Sequence, residues 1–298
     1  MRELELPPAW VTRVESYPSD GGPSGADWVR TVSRRIRDAL ARWQLEVDGE
    51  PRTGWTAVVL PVRQGGQARA LKVIWPHPEM ATEHLALKVW GGQRAVRLHA
   101  ADPTEGLLLL ERLHADTDLR GVAIDEACQE VGALLRRLNV PATPAFPELT
   151  AYLGPHLERM AQRPAVPRRI ADRTRGLFAD LAGEPGTHLL LHTDLHYENV
   201  LADAEGRWRA IDPKPLRGHP GFELLPLLSN RAGDLDGRTF RSAMRRRVAI
   251  AAEAAGIDLD AAFGWTLLRA GLEVSWTSAL GDEAELSHHI ALTKALDD

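Results

Sequence analysis

The segment from His188 to Asp212, HLLLHTDLHYENVLADAEGRWRAID, constrains this chain more than any other. An apolar run, Leu189-Leu190-Leu191, leads into a polar stretch, and two short runs of β character then flank the turn-rich Asp203-Ala204-Glu205-Gly206-Arg207. That pattern predicts an antiparallel hairpin fed by a buried strand. With Asp203 opposite Trp208 across a loop of Ala204 to Arg207, Asn199 falls opposite Asp212. Directly opposed Cβ atoms lie about 4.5–5.5 Å apart, so both oxygens can bind one hard cation such as Mg²⁺ that keeps waters and phosphate oxygens. Asp194, on the loop feeding the hairpin, can take the proton of a hydroxyl. Any one of these residues alone reads as a turn or cap. Together they have complementary roles at one place.

A second constraint comes from lysine. Of 36 basic residues only Lys72, Lys88, Lys214 and Lys294 are lysines, so their positions carry information. Lys72 lies inside the apolar strand Ala70-Leu71-Lys72-Val73-Ile74, on the face of Ala70 and Ile74. A buried, unpaired ammonium costs several kcal/mol, so this side chain needs an anionic partner or a phosphate. Met80, Glu83, Leu87 and Trp90 follow helical spacing and place Glu83 on an apolar, inward-facing stripe. Glu79, one turn earlier, is the competing partner.

The remaining signals fix the organisation. At 298 residues the chain is long enough for two domains or lobes and a core without disulfides. Its 44% hydrophobic and 26% charged content is that of a folded protein. The net charge of −5 argues against nucleic acid and mildly favours a cationic ligand. Cys128 reads as a small buried residue. Neither a secretion leader nor an apolar run long enough to span a bilayer stands out, so a cytoplasmic protein off the membrane is expected. Residues 1–27, rich in Pro, Gly and Ser, read as a loose lead, and WVRTVSRRIRDALARW as one helix. WTAVVLPV and RALKVIW flank Gln64-Gly65-Gly66-Gln67 as a hairpin, followed by a helix over PEMATEHLALKVW that stops at Gly91-Gly92. The strands VRLHAAD and LLLLERL come next, and helical patterns dominate from Asp125. The expected division is an N-terminal lobe at 1–110, a connector at 111–114 and a C-terminal lobe at 115–298.

The arrangement D-x4-N followed by I-D at a hairpin end matches kinase-type phosphoryl transfer. HTDLHYENVLADAEGRWRAIDPKPLRGHPGFEL, with ALKVIW, WGGQRAVRLHAAD and LLLLERL before it, resembles the aminoglycoside phosphotransferases, most closely the streptomycin 6-phosphotransferase branch with its hydroxyurea-type relatives. The likeness runs from about residue 45 to the C-terminus. It implies an α+β, two-lobed, protein-kinase-like fold, with a small antiparallel-sheet N-lobe carrying one helix and a larger, mainly helical C-lobe. It also implies ATP with Mg²⁺ as donor, and phosphorylation of an aminoglycoside or aminocyclitol such as streptomycin, with hydroxyurea or another metabolite as the alternative. By the same resemblance Lys72 contacts the α/β-phosphates and pairs with Glu83, Asp194 is the base, and Asn199 and Asp212 hold metal. Backbone around Glu111 and Leu113 holds adenine, and the protein acts as a monomer or homodimer.

Departures matter too. Asp48-Gly49-Glu50-Pro51-Arg52-Thr53-Gly54-Trp55 replaces a G-x-G-x-x-G loop and fits either a phosphate loop or a hairpin turn. Pro213 follows the metal Asp and no A-P-E occurs, which disfavours protein substrates. A polycationic acceptor needs carboxylates and aromatic faces. Glu273 and Trp276 form an i,i+3 pair, Asp282 follows Gly281, and Glu223 stands after the metal segment, where it reads also as an anchor of that loop, so these four are the acceptor candidates. Core tryptophans and a solvated acidic helix end are the plainer account. Lys214 reads equally as a phosphate ligand or a solvent-facing side chain, and His192 as a shaper of the catalytic loop. No zinc site is assigned to His196, His288 or His289.

Overall fold

The computed structural model describes residues 6–19, 22–183 and 188–297. The chain divides into two compact units, Met1–His114 and Ala115–Asp298. The first contains α1 (Pro8–Glu15), α2 (Gly25–Arg42), β1 (Leu45–Val47), β2 (Arg52–Thr53), β3 (Ala57–Gln64), β4 (Gln67–Ile74), α3 (Glu83–Trp90), β5 (Leu98–Asp102) and β6 (Leu107–Glu111). Its strands form one antiparallel sheet in the order β1-β3-β4-β6-β5, with β2 also on β3.

Period-two alternation sorts the sheet into two faces. Val58, Leu60 and Val62 of β3, Leu71 and Val73 of β4, and Leu107 and Leu109 of β6 pack against Trp10, Val14, Trp28, Val32, Ile36 and Leu40 of α1 and α2. Lys72, in register with Val59 and Leu108, therefore points to the other face.

Two expectations for this unit need correction. Among the described residues it has three α-helices, not the one that the resemblance implies: besides α2 and α3, which the spacing also predicts, the lead over residues 1–27 contains α1. Pro8 stands in the first turn of α1, where a missing N–H costs nothing, and Trp10 and Val14 are buried. Trp10 meets Trp28 edge-on at 5.8 Å and donates its indole N–H to Gly54 O at 2.9 Å. The helix expected over residues 78–90 is also interrupted. A 3₁₀ turn at Pro78–Met80 precedes α3, and Glu83 becomes the first residue of that helix. A carboxylate is favoured there by the helix dipole. Residues 48–55 hold the link between β1 and β2, then β2 itself and the start of a turn: β1 and β2 both pair with β3, and Gly54 N–H closes onto Ala57 O.

The second unit contains β7 (His114–Asp118, which begins one residue before it), α4 (Ile124–Leu138), α5 (Leu149–Met160), α6 (Arg168–Ala182), β8 (Leu189–Leu191), β9 (Val200–Ala202), β10 (Trp208–Ala210), β11 (Leu216–Gly218), α7 (Pro226–Ser229), α8 (Phe240–Ala255), α9 (Leu259–Leu280) and α10 (Glu283–Leu296). The strands make two small sheets, β10-β9-β7 and β11-β8. Helices α4 and α8 approach so closely that a Cβ at Gly132 would lie 2.5 Å from Ala251 O. The core includes Cys128, whose thiol lies 3.2 Å from the Tyr197 hydroxyl and is pushed up in pKa by burial. Among the described residues no helix is long and apolar enough to cross a membrane.

Candidate active site

In the first unit, Lys72 Nζ lies 2.7 Å from Glu83 Oε1, and the two residues are 5% and 1% exposed. The sheet fixes one partner and the start of α3 the other. Leu87 and Trp90 are buried on the same face of α3 as Glu83, and Met80 is buried in the 3₁₀ turn before it. A cavity of about 260 Å³ adjoins Glu83, walled by Ile74, Pro76, Met80, Leu107 and Leu108. Its lining is mostly apolar. At residues 111–113, Arg112 staples the backbone: its guanidinium donates to Arg69 O and Val62 O, each at 2.7 Å. Glu111 directs its N–H and one carboxylate oxygen to the Arg97 backbone, and Leu113 follows half-buried.

In the second unit, β8 delivers His192, Thr193 and Asp194 into a loop anchored from below. Glu223, fully buried, accepts the His192 N–H at 2.9 Å and the Thr193 N–H at 3.2 Å. Burial pushes its carboxyl up to about 7, against the opposing pull of these N–H groups and of the Arg269 guanidinium. His192 is also buried, which lowers it to about 4 and keeps the ring neutral. Its Nε2 lies 2.9 Å from Ile211 O, and its Nδ1 accepts the Asp194 N–H at 3.3 Å, so Nε2 carries the proton. Thr193 has φ 58°, an unusual value for a β-branched residue, and its hydroxyl donates to Lys214 O. Such strain persists only where the surroundings over-determine it. Asp194 is 24% exposed at its side chain, and Lys214 Nζ lies 3.3 Å from its Oδ2.

The hairpin register differs from expectation by one residue. Trp208 faces Ala202, and Asp203 N–H bonds Arg207 O at 2.9 Å, so the loop has three residues, Ala204 to Gly206. Gly206 closes it at φ 76°, a left-handed value suited to glycine. Asp203 locks the loop by accepting the N–H groups of Glu205 and Arg207 and the guanidinium groups of Arg207 and Arg209. Burial works to raise its carboxyl, but these donors hold it down to about 2. Asn199 therefore lies opposite Ile211, whose N–H bonds Asn199 O at 2.9 Å. Asp212 is the next residue, turned off the ladder by φ 58°. The two oxygen donors are neighbours across the ribbon, not an opposed pair. Asn199 Nδ2 donates to Asp194 O at 2.8 Å, so the oxygen, not the nitrogen, is the end of the amide that could hold a cation.

Two of the four acceptor candidates are occupied otherwise. Glu223 is the buried anchor just described and is out of reach of an acceptor. Asp282 caps α10, accepting the N–H groups of Ala284 and Glu285 at 3.1 and 3.0 Å. Glu273 and Trp276 remain half-buried on α9. Residues that the sequence reading missed hold them. Trp276 donates its indole N–H to His156 Nδ1 at 2.8 Å, and His156 packs on Tyr152 with centroids 4.9 Å apart. Arg269 lies 3.7 Å from Glu273 and donates to Phe222 O at 3.0 Å, tying α9 to the segment that carries Glu223. The i,i+4 spacings Tyr152/His156 and Arg269/Glu273 were the available signals. Trp265 is core, stacked on His219 at 5.4 Å.

The family described as aminoglycoside/hydroxyurea antibiotic resistance kinase matches residues 42–281 of the chain. Streptomycin 6-kinase of Streptomyces glaucescens is 36% identical over 290 residues, covering 94% of this chain and 94% of that protein. Hydroxyurea phosphotransferase of Kitasatospora aureofaciens is 38% identical over 288 residues, covering 93% of this chain and 82% of that protein. Among solved structures, a thermostable mutant of aminoglycoside phosphotransferase APH(4)-Ia, in ternary complex with ADP and hygromycin B, superposes with a TM-score of 0.57 at 12% identity, covering 87% of this chain and 97% of that one. At that identity the likeness concerns the fold, which is α+β and protein-kinase-like.

Proposed function

Because this chain belongs to the aminoglycoside/hydroxyurea antibiotic resistance kinase family and is a small-molecule kinase, we propose that it transfers the γ-phosphoryl group of ATP, with Mg²⁺, to the 6-hydroxyl of streptomycin. The observation that carries the acceptor is the similarity to a streptomycin 6-kinase along 94% of the chain. ADP in the related solved structure supports an adenine nucleotide as donor. The proposed setting is the cytoplasm, where ATP is available.

The residues present fit the metal. Asn199 commits its amide nitrogen to Asp194 O, which leaves the amide oxygen for a cation, and Asp212 adds a carboxylate one residue beyond the cross-strand neighbour of Asn199. Two protein oxygens suit a hard ion that keeps waters and phosphate oxygens. When bound, Mg²⁺ supplies neutralisation of the phosphate charge.

The chain's own residues do the rest. Lys72 binds the α/β-phosphates with an ammonium that Glu83 holds in place. Backbone around Glu111 and Leu113, fixed by Arg112, holds adenine. Asp194 orients the acceptor hydroxyl and receives its proton, on a loop positioned by Glu223 and His192. Glu273 and the Trp276 ring face guanidinium groups of a cationic acceptor, by ion pairing and cation–π attraction.

A second acceptor reading, hydroxyurea, is favoured by the 38% identity to a hydroxyurea phosphotransferase. Incubating the protein and MgATP separately with streptomycin and hydroxyurea, then weighing the products by mass spectrometry, tests both. The mass of one phosphoryl group added to streptomycin is expected. Addition to hydroxyurea alone would replace the first reading with the second, and addition to neither would remove both.

A further inference from the structure

We propose that Lys214 is a catalytic residue that changes partner during the reaction: its ammonium rests on Asp194 before transfer and passes to the transferred phosphoryl group as Asp194 takes the hydroxyl proton. The inference rests on the kinase reading above and adds a role for a side chain outside the set Lys72, Glu83, Asp194, Asn199 and Asp212.

The geometry separates a fixed backbone from a movable tip. Lys214 N–H donates to His192 O at 2.9 Å, and Lys214 O accepts the Thr193 hydroxyl, so both main-chain groups are tied to the two residues before Asp194. Pro213 and Pro215 flank it and stiffen the segment further. The side chain, by contrast, is 41% exposed, and its Nζ meets Asp194 Oδ2 at 3.3 Å. An ion pair this exposed contributes little energy and breaks readily. Lysine suits the task, being a compact charge with rotatable donors on a flexible stem. A chain with 36 basic residues and only four lysines places one here.

The chemistry gives the ammonium somewhere to go. The acceptor oxygen forms its bond to the γ-phosphorus, and the bond from that phosphorus to the β–γ bridging oxygen breaks. The electron pair stays on the bridging oxygen of ADP, and the hydroxyl proton ends on Asp194. Asp194 becomes neutral and no longer needs a cation. The charge released by the broken bond sits on ADP, while the transferred phosphoryl group keeps its negative charge throughout and is now bonded to the oxygen that Asp194 oriented, so it is the anion left for the ammonium. A tip that starts 3.3 Å from Asp194 has a short path to it.

The test compares wild type, Lys214→Met and Lys214→Arg by calorimetric titration with ADP and with a non-hydrolysable ATP analogue, each with Mg²⁺, alongside steady-state kinetics on an acceptor that wild type phosphorylates. Lys214→Met is expected to bind both ADP and the analogue as wild type does, and to lose about 100-fold in kcat with acceptor KM nearly unchanged. Lys214→Arg, which keeps the cation, should recover most of the kcat. Equal losses of ADP and analogue affinity would overturn the proposal in favour of a structural role, as would a Lys214→Met enzyme with wild-type kcat. The kinase reading itself fails separately, if wild type binds neither nucleotide.

Discussion

Two lysine–carboxylate pairs, one in each unit, use the same chemistry under opposite conditions. Lys72 and Glu83 meet at 2.7 Å with side chains 6% and 1% exposed. Lys214 and Asp194 meet at 3.3 Å with side chains 41% and 24% exposed. In the first pair both side chains are shut off from water, so removing either one takes a counter-charge from an enclosed charge that water cannot replace. In the second, water replaces a lost partner at almost no cost. The buried pair is built to stay as it is, which suits a group that holds a nucleotide before and after reaction. The exposed pair can be rearranged, which suits the place where a proton and a phosphoryl group move.

The contrast can be broken most forcefully at Asp194. Asp194→Ala is expected to lower kcat by about 10³-fold, with nucleotide affinity by calorimetry unchanged and stability altered by less than about 1 kcal/mol. The equivalent deletion in the buried pair, Glu83→Ala, should cost about 3–5 kcal/mol of unfolding free energy in a denaturant titration, because Lys72 is left charged and enclosed. Similar losses for the two variants would mean that burial does not separate the pairs.

A smaller effect comes from the anchor beneath the exposed pair. Glu223 is raised from 4.5 to about 7 by burial, so its contribution to stability is complete below about pH 4.5 and is lost as pH rises through about 7. The amplitude is about 3 kcal/mol. His192, lowered from 6.5 to about 4, acts in the opposite direction: its contribution is present above 6.5 and lost as pH falls through about 4. The Glu223→Gln variant should therefore gain stability on wild type as pH rises across the Glu223 window. Parallel stability–pH curves for the two proteins would contradict this. Smallest of all, Lys214→Met should shift unfolding free energy by no more than about 0.5 kcal/mol, with its effect reserved for turnover.

The sequence revealed what local periodicity and charge can encode. Strands β3 and β4, the Glu83 stripe and the inward face of Lys72 follow from spacing alone, since apolar alternation leaves one arrangement that buries them. α1 was hidden because Pro7-Pro8 reads as loop composition, although proline is compatible with a first helical turn. The hairpin register turned on a single backbone angle at Gly206 and on the Asp203 carboxylate gripping the loop, neither of which spacing specifies. The acceptor candidates were the hardest. Glu223 and Asp282 carry the expected carboxylates, but tertiary packing encloses the first under the loop that carries Asp194, and the second spends an oxygen on a local cap of α10. Trp276 depends on His156, 120 residues away in sequence, for its ring orientation.

The central claim is that phosphoryl transfer depends on the Asp194 carboxylate, and single-turnover transfer from MgATP to streptomycin by wild type and Asp194→Asn measures it most directly. With both proteins saturated by nucleotide, phosphorylated streptomycin should form with wild type and at a rate lower by orders of magnitude with the variant. Equal rates would contradict the account at its core.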